Sequence, residues 1–198
     1  MKDKPVVALD MDEVLFNFAD SYQQWRAHRG LAPVDLGQMT GYQFFTGLGM
    51  SATEANEHEI DFLSEFDLRA QPMEGAIAGV AELGRSAELI VLTARVESLH
   101  GELTQRWLGH YFPGAFTDIV LTHKTPERSL GSKGEFATRL GVRALVDDYV
   151  GHLESIKEPT KGVLFGRRPN TIKSKLPSNC IRVESWSELP EQIAKLIR

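Results

Sequence analysis

The stretch Val6-Val7-Ala8-Leu9 runs straight into Asp10-Met11-Asp12-Glu13-Val14-Leu15, so a continuous apolar segment stops abruptly in carboxylates. A short uninterrupted apolar run reads as a strand buried on both faces, the kind found in the middle of a parallel sheet. Acids are out of place there unless the strand ends at a site. Side chains alternate along a strand, so extended backbone through Asp12 would point Asp10 and Asp12 the same way from its carboxyl end. Open α/β sheets bind ligands at that edge. The plainer alternative is an Asx turn closing the strand, which needs only one Asp.

A chain of 198 residues, 42% of them hydrophobic, can bury a full core, most simply as one domain carrying a substantial insertion. Its net charge of -5 and pI near 5.7 oppose charge-driven binding to nucleic-acid polymers or anionic membranes, so any phosphate site must be small and specific. Cys180 is the single cysteine, which excludes an intrachain disulfide and a cysteine metal cluster. Met1-Lys2-Asp3-Lys4-Pro5 leads into the first strand without a long apolar segment of signal-peptide type, and nothing downstream reaches membrane-spanning length. The cytoplasm is therefore the expected location.

Phe18, Tyr22 and Trp25 step by four and then three, which keeps three rings on one face of a helix from Phe18 to His28, with Gly30 as its stop. Leu31 to Met50 is rich in Gly and aromatics (Tyr42, Phe44, Phe45), lacks a clean period and reads as irregular. Ser51 with Glu54 forms a capping box for a helix through about Phe62. From Pro72 the rhythm changes to alternating helices and strands. Helices are expected over Glu74 to Leu83, Val96 to Leu108, Lys133 to Leu140, His152 to Ile156 and Leu189 to Ile197. Strands are expected at Leu89 to Leu92, Ile119 to Thr122, Arg143 to Val146, Gly162 to Phe165 and Ile181 to Val183, with loops at His123 to Gly131 and around Arg167 to Asn170. Such alternation is the signature of a doubly wound parallel sheet. The expected division is an α/β core of residues 1–15 and 74–198 with a small helical cap of residues 16–73 inserted after the first strand.

Asp10 with Asp12, Thr93, Lys133, and Asp147 with Asp148 all fall at or just beyond strand ends. Singly each is ordinary: a cap, a solvated lysine, an acidic loop. Together they are the parts of phosphoryl transfer. A carboxylate nucleophile can split one hard step into two through an aspartyl-phosphate. A second carboxyl can give a proton to the leaving oxygen and later take one from water. A divalent cation suits a site of one or two carboxylates plus waters, and a lysine with a hydroxyl or backbone donor neutralises the rest of the transferring group.

The order DMDEVL, VLTAR, SKGEFATRLG and ALVDD resembles the four motifs of the haloacid dehalogenase superfamily of phosphohydrolases across nearly the whole chain. The DMD-x-VL-x-x-F opening, the GYQFF stretch, HYFPGAFTDIVLTHKT, VDD, VLFG and the late Ser185-Trp186 resemble its 5'(3')-deoxyribonucleotidase branch. The resemblance implies Asp10 as nucleophile and Asp12 as general acid and base. It implies Mg2+ held by Asp10, the Asp12 backbone carbonyl and Asp148, with Asp147 close behind. Thr93 and the Ala94 amide would bind phosphate together with a lysine, Lys133 at a helix start or Lys124 in LTHKT, with Lys133 preferred. Phe18 and Tyr42 match positions that contact the base in that branch, and packing within the cap is the alternative for both.

Three departures stand out. Glu13 stands where Gly is usual, Ala94 where Ser is common, and Tyr149 where the nucleotidases carry Arg. The implied partner is a small-molecule phosphomonoester, nucleoside monophosphates first and sugar phosphates or other small phosphoesters second. No nucleic-acid polymer or membrane is expected, and a homodimer stays open. A receiver-type signalling module uses similar residues but places its acidic pair after the first strand and its phosphorylated Asp later, whereas here the pair comes last. A catalytically silent phospho-ligand binder is a further alternative that the intact set of acids opposes. The six histidines show no metal-ligand spacing; all but His123, a candidate to line the site, are expected at the surface.

Overall fold

A computed structural model describes residues 4–35, 45, 49–126 and 128–197 of the chain. Its sheet is built from β1 (Val6–Leu9), β2 (Glu88–Val96), β3 (Asp118–Thr125), β4 (Arg128–Ser129), β5 (Ala144–Asp147), β6 (Lys161–Phe165) and β7 (Cys180–Val183), in the order β4-β3-β2-β1-β5-β6-β7. All neighbours pair in parallel except the short edge strand β4, which runs antiparallel to β3. The doubly wound α/β fold is as expected. The polar loop after β3 was not expected to hold a strand, because two residues give no periodicity to read.

The helices are α1 (Phe18–His28), α2 (Ala52–Phe66), α3 (Ala76–Leu83), α4 (Glu97–Tyr111), α5 (Lys133–Arg139), α6 (Val150–Leu153), α7 (Pro169–Lys173) and α8 (Leu189–Leu196). β1 shows why the sheet needs helices on both sides. Val7 and Leu9 enter one apolar cluster, shared with Val91, Val146 and Val163, while Ala8 points into a second one with Leu92, Phe136 and Leu145. Asp10 follows in the parity of Ala8, toward the side where α5 packs.

The expected extended run through Asp12 is not what forms. β1 stops at Leu9, and the Phe16 and Leu15 amides both donate to the Met11 carbonyl at 2.8 and 2.9 Å, closing a turn. Met11, Val14, Leu15 and Phe16 are all buried, and their anchoring into the core makes the chain curl. Glu13 sits in this turn at φ 61, left-handed backbone that costs a non-glycine residue roughly 1–2 kcal/mol. Its side chain offsets that cost: the carboxylate accepts the Ala19 amide at 2.8 Å and pairs with Arg168.

α1 and α2 lie between β1 and α3 in the chain. The rings of Phe18, Tyr22, Trp25, Phe45 and Phe62 form one buried group with Phe16 and Trp107, continuous with the main core rather than separate from it. The Ser51 and Glu54 capping box is present, and α2 continues four residues beyond the expected end. Trp186 closes the opposite side by donating to the Val14 carbonyl at 2.7 Å. Among the described residues no helix is long and apolar enough to cross a membrane.

Candidate active site

The site forms where β1 passes between β2 and β5. Leu9 is in register with Val91 and with Val146, and the Asp10 amide donates to the Val146 carbonyl at 2.9 Å, which sets Asp10 beside Asp147. Both acids are buried, at 4% and 0% exposure.

Lys133 joins them. Its Nζ lies 2.6 Å from Asp10 Oδ1 and 2.8 Å from Asp147 Oδ2, and the side chain is 2% exposed. Local sequence places it there. Ser132 caps α5 by accepting from the Glu135 amide, and the Glu135 side chain accepts from the Ser132 amide in return. Gly134 then lets the helix start press against the segment after α6, since a Cβ there would fall 2.3 Å from Ser155 Oγ. Lys124, the other lysine considered, is half-exposed and pairs with Glu97 at 2.7 Å.

Asp10 Oδ1 also accepts the Met11 amide at 2.6 Å, so both of its donors fall on one oxygen. Burial pushes the Asp10 carboxyl up most, Lys133 opposes, and Asp147 and Asp12 add to the rise, leaving it at about 7. At Asp147 burial acts in the same sense, but Lys133 and His152 outweigh it and hold the group at about 2. Asp147 also accepts the Tyr149 amide at 2.9 Å, and His152 Nδ1 lies 3.0 Å from its Oδ1. Asp148 is raised well above the usual carboxylate range by burial and then by the charges of Asp147, Asp10 and Glu13.

Asp12 reaches the same edge from the turn. Arg95 grips it with a two-point fork, Nη2 to Oδ1 at 2.6 Å and Nε to Oδ2 at 2.9 Å, and donates from Nη1 to Thr104 at 3.1 Å. The guanidinium lies 4.8 Å above the Phe16 ring and is itself buried, whereas the Asp12 side chain is 30% exposed. Thr93 is buried, and its Oγ1 accepts the Arg95 amide at 3.2 Å across a break in the β2–β3 register between Thr93 and Val96. Ala94 is half-buried, and His123 hydrogen-bonds its backbone.

Asp10, Asp12, Thr93, Ala94, Lys133, Asp147 and Asp148 thus sit on neighbouring strand ends and the segments that follow them. Phe18 is placed differently: at 6% exposure its ring meets Phe16, Phe45 and Phe62. Tyr42 lies outside the described residues. Two histidines expected at the surface are not there. His100 is 2% exposed beneath Arg95, and His152, on α6, faces Asp147 five residues before it. A helix start folds its first turn back over the preceding strand end, which no single-residue pattern reveals. Arg95, present in the sequence reading only as the last letter of VLTAR, is the other residue missed.

Asp10, Asp147 and His152 offer ligand atoms within 4.8 Å of one another, the one such group among the described residues. Asp10 and Asp147 share the one cation Lys133, and the raised carboxyls of Asp10 and Asp148 mark groups without a full counter-charge. Oxygen donors with unbalanced charge fit a hard divalent cation such as Mg2+. His152 is turned onto Asp147 as a hydrogen-bond partner, which leaves the carboxylates as the donors.

No protein-family model matches the chain, and no curated protein shows a significant sequence match. Its fold is similar to solved structures of haloacid dehalogenase type. SP0104 from Streptococcus pneumoniae, a haloacid dehalogenase-like family hydrolase, superposes with a TM-score of 0.63 at 13% identity over 100% of both chains. YfnB from Bacillus subtilis, described as a HAD-hydrolase and solved bound to magnesium, gives 0.62 at 12% identity over 97% of this chain and 99% of its own. A HAD family hydrolase from Deinococcus radiodurans R1, solved with bound phosphate and sodium, gives 0.59 at 19% identity over 99% of this chain and 97% of its own. At such identities the likeness establishes a shared fold.

Proposed function

We propose that this protein is a Mg2+-dependent phosphomonoester hydrolase that works through an aspartyl-phosphate on Asp10, with nucleoside monophosphates as its substrate class. The observation that carries the reading is the shared lysine: Lys133 contacts Asp10 at 2.6 Å and Asp147 at 2.8 Å in a buried pocket at the carboxyl edge of the sheet. The magnesium in YfnB and the phosphate in the Deinococcus radiodurans hydrolase, on the same fold, support it. The nucleotide preference rests on the resemblance of the motifs to the deoxyribonucleotidase branch, and Phe18, packed among the rings of Phe16, Phe45 and Phe62, adds nothing to it.

Asp10, the Asp12 carbonyl and Asp148 would hold the ion. Bound there, it would neutralise phosphate oxygens and offset the repulsion between a dianionic ester and Asp10. Lys133 and Met11 fix one Asp10 oxygen, so Oδ2 is the oxygen left to attack phosphorus. As the Asp10–phosphorus bond forms, the ester bond breaks and Asp12 gives a proton to the departing oxygen. In the second step Asp12 takes a proton from water, which attacks phosphorus and returns Asp10 as a carboxylate. In the first step the Asp12 oxygen that carries the proton leaves the Arg95 fork while the other oxygen keeps its contact, and in the second Arg95 holds the carboxylate that takes the proton from water. Lys133, Thr93 and the Ala94 amide stabilise the equatorial oxygens.

Asp10→Asn is expected to abolish turnover of a panel of phosphomonoesters while leaving the circular dichroism spectrum and thermal unfolding close to wild type. Chelation should silence the wild-type protein, and magnesium should restore it. Normal magnesium-dependent hydrolysis by purified Asp10→Asn would overturn the assignment.

A further inference from the structure

α2 carries an acid on its inward face that the reaction above does not use. Ala55, Phe62, Leu63 and Phe66 are buried, and Glu59 lies four residues after the first, three before the second and four before the third. That spacing puts it on the same stripe. The Phe62 ring, one turn along, stands 6.4 Å from Phe16, which also lies under the Arg95 guanidinium at 4.8 Å. Glu59 accordingly feels the charges of both Asp12 and Arg95.

Despite this position the Glu59 carboxylate has no hydrogen bond among the described residues. Arg95 bonds Asp12 and Thr104 and makes no hydrogen bond to it. Glu59 is half-buried, so its carboxylate, bonded to no protein donor, is open to a donor that a ligand brings. Burial and the charge of Asp12 push its carboxyl up to about 7 against the pull of Arg95, in keeping with charge that the protein alone does not balance.

Asp12 meets the leaving group when it delivers its proton, so a charge on α2 that reaches Asp12 and Arg95 acts on the leaving group too. Resting on the phosphomonoesterase reading, we infer that Glu59 is a specificity-determining residue: it accepts hydrogen bonds from leaving groups that carry an amine or hydroxyl donor, and it disfavours leaving groups that bear a second negative charge. A cation or neutral donor gains an acceptor there. A carboxylate or second phosphate meets like charge in a site already rich in acids.

The test compares kcat/KM at pH 8 for two pairs of esters, phosphoethanolamine against phosphoglycolate and a deoxynucleoside 5'-monophosphate against its 3',5'-bisphosphate. The wild type is expected to favour the first of each pair by about tenfold or more, the scale of one close charge contact. Glu59→Gln, which keeps size and removes charge, should shrink that ratio about tenfold. Glu57→Gln, an exposed acid on the same helix, should keep it. A ratio that Glu59→Gln leaves unchanged, or a wild type that prefers the anionic leaving groups, would overturn the inference while leaving the hydrolase reading intact. No turnover of any ester with magnesium would instead remove the hydrolase reading, and this inference with it.

Discussion

His100 ties the stability of the fold to the site through the turn after β2. Its ring is 2% exposed, Nδ1 accepts the Val96 amide at 3.2 Å, and Nε2 is buried without a partner. Val96 directly follows Arg95, so this bond helps to fix the guanidinium that holds Asp12. Burial, and then the charge of Arg95, lower the His100 pKa from 6.5 to about 4. The folded state therefore refuses a proton that the unfolded chain accepts. The stability this contributes is complete above pH 6.5 and is lost as the pH falls toward 4; between pH 7 and pH 5 the loss is about 2 kcal/mol.

Asp10 and Glu59 work in the opposite sense. Their folded pKa values are raised to about 7, so the folded state takes up protons first and gains stability as the pH falls from there. The His100 contribution is isolated by difference. His100→Asn retains an acceptor for the Val96 amide and removes the titration. Urea unfolding followed by circular dichroism at pH 7 and pH 5 should show the variant losing about 2 kcal/mol less than wild type over that interval, although at pH 7 it starts lower by about 1–2 kcal/mol for the smaller side chain. Identical pH dependence in the two proteins would refute the reasoning.

Three further outcomes are expected. Lys133→Met leaves Asp10 and Asp147 buried without their shared cation and should lower stability by about 3–5 kcal/mol; excess magnesium should raise the variant's melting temperature, and a variant as stable as wild type without metal would contradict the charge argument. Arg95→Lys keeps a charge but loses the fork on Asp12, and kcat should fall on the order of tenfold to a hundredfold in steady-state assays, against a change under about twofold if Arg95 does not position Asp12. Gly79→Ala would set a Cβ 2.3 Å from the Trp186 ring, which the Val14 bond holds in place, and should cost about 1–3 kcal/mol in chemical denaturation with little change in kcat.

The β1 run and the alternation of segments beyond Pro72 were enough to read an α/β sheet, because burying a continuous apolar strand on both faces demands helices above and below it. The motif residues at strand ends could be read for the same reason: apolar runs that stop in Asp10, Thr93 and Asp147 mark the edge where the core ends. The local code also wrote the capping box of Ser51 with Glu54 and the ring stripe of α1. These signals act over a few residues, within reach of periodicity and capping.

Tertiary structure decided what lies between distant segments. Its place at a helix start favours Lys133 over Lys124 along the chain without deciding between them, and it is the seating of Gly134 against the segment after α6 that carries one into the pocket while Glu97 holds the other outside. Asp12 and Arg95 are separated by 83 positions, and only the pairing of β1 with β2 brings them within 2.6 Å. Asp12 reaches the site by a turn rather than by strand parity, since buried Met11, Val14 and Phe16 pull the chain inward. Glu59 reads along the sequence as one more acid on an acidic helix, and its role depends on which stripe of α2 meets Phe16. Short-range patterns determine which residues form strands, caps and buried faces, but the contacts that make a site depend on which buried faces pack together, and that is settled only when the whole core closes.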